Sequence, residues 1–157
     1  MKTKQILAFV MASAAVLSST VFAHTDKPHA PPQKFDASKV EATPFGQQGD
    51  PKKVTRTILV GMSDRMRFDP ETITVEKGET IRFAVANKGA VLHEMVLGTA
   101  QSIKEHAELM KKHPGMEHDE PSMAHVKPGA TGDIIWHFTQ AGEFQFACLI
   151  PGDFESG

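Results

Sequence analysis

Cysteine is almost missing from this sequence: its 157 residues hold one, Cys148. A single thiol cannot close a disulfide within the chain, so no disulfide framework supports the fold. Excess basic charge is missing too. Lys and Arg number 17 against 19 Asp and Glu, a formal net charge of −2, and nothing points to nucleic acid, which wants a basic patch. Long hydrophobic runs are lacking beyond the N-terminus, and the run there, from Ile6 to about Leu17, is too short to span a bilayer comfortably. No repeat of fixed period is visible, and no low-complexity tract outside one proline-rich stretch. At this length one ordinary domain with one core is expected.

What is present begins with export. Lys2 and Lys4 precede the apolar run, and small residues follow it up to Val21-Phe22-Ala23, the layout of a secretory signal peptide over 1–23. The mature chain is expected to start near His24, without a membrane span. Cleavage removes two lysines and no acids, which takes the formal charge from −2 to −4. Disulfides can form outside the cytoplasm, so a lone thiol there needs another reason. It is either a small buried hydrophobe or a residue with chemistry to do.

Residues 24–52 carry Pro28, Pro31, Pro32, Pro44 and Pro51 with little hydrophobic periodicity, and this stretch reads as a flexible arm. The folded domain is expected over 53–157. There the pattern has a period of two: Ile58 and Val60, then Ile73 and Val75, then Ile81, Phe83 and Val85. Asp69-Pro70, Lys77-Gly78-Glu79 and Asn87-Lys88-Gly89 separate these runs as turns, ahead of a segment from His93 to Leu97. One helix is predicted from Ser102 to about Lys112, with Ser102 and Glu105 as a capping box and Ile103, Ala107 and Met110 on one face. Ile134, Trp136 and Phe138 alternate in a late strand. Phe144, Phe146 and Cys148 alternate in the next, which puts Cys148 on the side of two core phenylalanines, while His137 faces the opposite way, toward solvent. The fold class is therefore mainly β, a sandwich or barrel with a short helical insertion.

Copper in an electron-transfer site takes one thiolate and two imidazoles with a weak axial thioether, a compromise that suits both Cu(I) and Cu(II). A histidine after a β-meander, His93, followed some fifty residues later by a cysteine ending an aromatic strand, resembles the cupredoxin family of plastocyanin and azurin type. The resemblance covers roughly 54–157. It rests on the run from Phe68 to Val75, on Gly78 with Ile81-Arg82-Phe83 and Asn87, on Leu92-His93-Glu94, and on the run from Gly142 to Gly152 that contains Cys148. Within the family the chain is most similar to small periplasmic cupredoxins associated with copper tolerance. The resemblance implies a Greek-key β-sandwich, periplasmic copper binding, and a use in copper handling or electron transfer with a redox or copper-transfer partner.

Carried over residue by residue, His93 matches the first imidazole ligand and Cys148 the thiolate. The family continues Cys-Leu-Ile-Pro-Gly-His, and here Asp153 stands in place of that histidine. The axial methionine and closing strand would fall beyond Gly157, which implies an altered copper site and an incomplete C-terminal strand. Asp153 can ligate through oxygen, a harder donor that favours Cu(II) over Cu(I).

A second group of copper donors follows the helix start: His106, Met110, His113, Met116, His118, Met123 and His125, with Asp119 and Glu120 among them. His106, His113, Met116, His118, Met123 and His125 are the candidate secondary ligands, with Met110 beneath the helix as core; the alternative is a polar loop that merely contains histidines. His24, with its amino group if it becomes the first residue, and His29 nearby make a further copper-site candidate. Two other readings stand beside copper binding. One is a structural remnant of a cupredoxin. The other is a cysteine enzyme using Cys148, His93 and Asp153 as nucleophile, base and orienting carboxylate, which the strand setting of Cys148 argues against. No catalytic function is expected.

Overall fold

Residues with alternating burial need a sheet with one face on a core, and the chain supplies two such sheets. The computed structural model describes residues 35–113, 118–150 and 152. The elements run β1 (Ala42–Thr43), β2 (Gly46–Gln48), β3 (Arg56–Ser63), β4 (Arg67–Asp69), β5 (Thr80–Asn87), β6 (His93–Gly98), α1 (Ala100–Lys112), β7 (Met123–Val126), β8 (Thr131–His137) and β9 (Gln145–Ala147). One sheet has the order β1-β2-β8-β5-β3-β4 and the other β7-β6-β9. In the first, β3 and β5 pair in parallel, with Ile58 opposite Phe83 and Val60 opposite Val85, while β5 and β8 pair antiparallel, with Ile81 opposite Trp136.

The period of two works as expected in the central strands. Val60, Ile81, Phe83, Val85, Ile134 and Trp136 are buried together with Met95 and Leu97 of the second sheet. The two sheets thus face each other as a sandwich, not a closed barrel. β6 is buried along its whole length, because α1 covers its other side: Val96 packs there with Ile103, Ala107, Met110, Met123 and Leu149. Successive side chains of a strand point to opposite faces. His93, Met95 and Leu97 therefore share the inner face, and Glu94 and Val96 the helix face.

Four expectations differ from the structure. The stretch 24–52, read as a flexible arm, carries β1 and β2 in its described part, and Phe45 between them is buried with its ring 4.9 Å from that of Trp136. The Trp136 indole N–H donates to the Phe45 carbonyl at 3.1 Å. Two-residue strands are too short to show a period, and proline-rich composition masked them. Ile73 and Val75 form no strand; they are half-buried side chains packed on the core from an extended segment without a ladder. The helix starts earlier than predicted. Thr99 is the N-cap, its hydroxyl accepting the Ser102 N–H at 3.1 Å while Ser102 Oγ accepts the Thr99 N–H at 2.9 Å, so Ser102 closes the box instead of opening it. His137 is half-buried, with Nδ1 3.0 Å from Thr80 Oγ1. Among the described residues no helix is long and apolar enough to cross a membrane.

Candidate metal centre

The segment before β6 is held from two sides. Asn87, buried at the end of β5, donates its amide to the carbonyls of Val91 at 2.7 Å and Val126 at 2.8 Å, and its side-chain oxygen accepts the Gly89 N–H at 2.8 Å. Asp64, in the turn between β3 and β4, accepts the Ala90 N–H at 2.8 Å on one oxygen and meets His93 Nε2 at 3.0 Å with the other. A Cβ at Gly89 would collide with the Asp64 carboxylate, so the turn needs glycine for space. The Ala90 N–H, and after it His93, hold the Asp64 carboxyl below its ordinary value of 3.8. As a carboxylate it can only accept, which makes Nε2 of His93 the donor; in the neutral ring Nδ1 then carries the lone pair, the nitrogen a metal would use. The ring is buried, its side chain 3% exposed.

Cys148 lies one residue past the end of β9, which pairs with β6 so that Val96 faces Ala147. Its sulfur accepts the Glu94 N–H at 3.4 Å. His93 and Cys148 line one cavity of about 350 Å³ with Met62, Phe68 and Phe146, where the Phe68 and Phe146 rings meet edge to face at 5.0 Å. An imidazole at the start of β6 and a thiol just past the end of β9 thus open on the same space. Asp153 lies outside the described residues.

A family profile described as "Copper binding proteins, plastocyanin/azurin family" matches residues 55–155. The chain belongs to the plastocyanin/azurin family of copper-binding proteins. This cupredoxin is 46% identical over 157 residues to the "Copper-resistant cuproprotein CopI" of Rubrivivax gelatinosus, covering all of this chain and 95% of that one. A protein of the same description from Pseudomonas aeruginosa is 32% identical over 150 residues, covering 77% of this chain and 82% of that one. Among solved structures, auracyanin B superposes with a TM-score of 0.56 at 17% identity, over 74% of this chain and 91% of its own. A reduced auracyanin from Roseiflexus castenholzii gives 0.54 at 20% identity, over 66% of this chain and 91% of its own. At such identities these two speak for the fold alone. Copper is the cofactor of the family, and the donors present fit it: an imidazole oriented by a carboxylate, and a sulfur oriented by a backbone N–H.

The residue after His93 was not singled out from sequence. Glu94 points to the helix face and is 1% exposed. Its Oε1 accepts the Leu149 N–H at 2.7 Å, and its Oε2 meets Nε2 of His125, its cross-strand partner on β7, at 2.8 Å. The hydrogen bond that His125 donates to Glu94 raises the His125 pKa above its ordinary 6.5, against the effect of burial. One residue therefore binds the strand of His93 to the segment of Cys148 twice, through its backbone N–H and through its carboxylate. A lone Glu beside a histidine carries no sequence signal of this; only the strand parity puts it under α1.

The secondary candidates divide. His106 of α1 and His118 come together, Nε2 to Nε2 at 2.9 Å with ring centroids 4.8 Å apart. His125 lies with them: its Nδ1 is 3.6 Å from Asp119. His113 is exposed at the helix C-cap. Met123 and Met110 are buried in the core beneath α1. Met116, and with it His24, His29 and the segment 1–23, lies outside the described residues. Among the described residues no three His, Cys, Asp or Glu side chains converge as a ready-made metal site.

Proposed function

We propose that this cupredoxin is a periplasmic copper protein of copper tolerance, which takes up copper at His93 and Cys148 and passes it, or an electron, to a protein partner. The observation that carries the reading is that these two side chains line one cavity, each oriented by a hydrogen bond that suits a metal ligand. The relatives described as copper-resistant cuproproteins favour copper handling as the use. Asp153 adds an oxygen donor where the family has its second imidazole, which makes this an altered site that holds Cu(II) better than Cu(I). Residues 1–23 act as the signal peptide, and the role is not catalytic. Val91 and Leu92, exposed just before His93, give a partner an apolar contact beside the metal.

Copper bound to a thiolate absorbs visible light strongly, so titration of the exported protein with Cu(II) is the test. A visible band that saturates at one equivalent and is abolished by Cys148→Ser is expected. A folded protein that stays colourless with copper refutes this assignment and leaves the structural remnant. Asp153→His is expected to move the band; an unmoved band removes Asp153 from the ligand set.

A further inference from the structure

We infer that His106 and His118, with Glu120, form a second site for a borderline divalent cation, Cu(II) above all, on the outer side of the β7-β6-β9 sheet and separate from the cavity of Cys148. The starting observation is the meeting of two imidazole nitrogens at 2.9 Å. Only one of them can carry the proton of that contact, so the other presents a lone pair to it. His118 also keeps its Nδ1 buried without a hydrogen-bond partner among the described residues. That nitrogen lies away from the shared contact and carries the ring proton when Nε2 binds a metal.

A cation between the rings replaces one shared proton by two nitrogen–metal bonds. For bonds of about 2.0–2.1 Å in a tetrahedral arrangement the two nitrogens stand about 3.3 Å apart. Rotamer adjustments of a few tenths of an ångström reach that from 2.9 Å. Glu120 Oε1 stands 4.0 Å from His118 Nε2 on an exposed side chain, and it becomes the third donor once that side chain swings toward the rings. Imidazole ligands bind a metal through a deprotonated nitrogen, so the proton shared between the rings must leave as the cation enters.

Charges of both signs surround the pair. Asp119 and Glu120 lie on the same segment, and His125 is already committed to the buried Glu94. The donors are two imidazoles and a carboxylate with no thiolate, a set that takes Cu(II) ahead of Zn(II) in the order of divalent affinities. His113, Met110 and Met123 are not part of it. The site would clamp α1 to the segment entering β7.

The test uses the full chain. Zn(II), which is colourless and diamagnetic, is added while the ring resonances of His106 and His118 are followed by NMR; both are expected to move in one step. Cu(II) stoichiometry is then measured by equilibrium dialysis for the wild type, His106→Gln, His118→Gln and, as a control, His113→Gln. Each of the first two is expected to lose one equivalent, or to bind it at least tenfold more weakly, with the visible band of the Cys148 site unchanged; the control loses nothing. Ring resonances that stay fixed with Zn(II), movement of only one ring, or full stoichiometry in both variants overturns the proposal. The NMR arm needs no variant to fold. A missing visible band with both rings responding refutes the Cys148 site and leaves this one standing.

Discussion

Removing the Glu94 carboxylate tests how the metal-side strands are held together. In the native protein it accepts the Leu149 N–H and pairs with His125, and both partners are largely shielded from water, His125 with 15% of its side chain exposed. Glu94→Ala leaves a buried N–H and a cationic imidazole without their acceptor. Breaking a buried pair by removing one partner costs about 3–5 kcal/mol. Glu94→Gln keeps an acceptor for Leu149 but loses the charge facing His125, and about 1–2 kcal/mol is expected for that loss. Urea unfolding at pH 6, where His125 is protonated because Glu94 raises its pKa, resolves the two. With a slope of about 1–3 kcal/mol/M, Glu94→Ala lowers the midpoint by about 1–5 M and Glu94→Gln by less. The backbone N–H on Cys148 survives both changes, so the stability loss should exceed any change at the sulfur. A Glu94→Ala midpoint equal to that of the wild type, or equal effects of the two substitutions, refutes the reasoning.

Phe45→Ala removes a buried ring stacked on Trp136, and a loss of about 3–5 kcal/mol is expected in the same urea assay; a residue of a flexible arm would give less than about 0.5 kcal/mol. Glu79 is held below its ordinary carboxyl value of 4.5, first by the Glu76 N–H and then by Arg56. Its folded pKa is the depressed one, so its contribution is fully present above pH 4.5 and is lost as the pH falls toward the folded value. Glu79→Gln should flatten the decline of stability below pH 4.5, and an unchanged acid limb refutes the contribution.

The sequence alone determined the mainly β class and the strands carrying Val60, Phe83 and Ile134, and it pointed to His93 and Cys148 as the proposed copper ligands. Alternation is a local property that a strand writes into its own residues, and the motifs around His93 and Cys148 are contiguous. The tertiary structure decided what depends on distant partners. Asp64 becomes the orienting carboxylate of His93 only because the β3-β4 turn meets the segment before β6. Phe45 becomes core only because β2 joins β8. Glu94 looks like any surface acid until strand parity turns it under α1 toward Leu149 and His125. Of the histidines scattered over 106–125, the fold joined His106 and His118, left His113 in solvent, and gave His125 to a buried carboxylate. Spacing along the chain could not separate them, because helix, loop and strand each place their side chains by different periods, and only the packing of α1 on β6 and β7 brings those periods into one register.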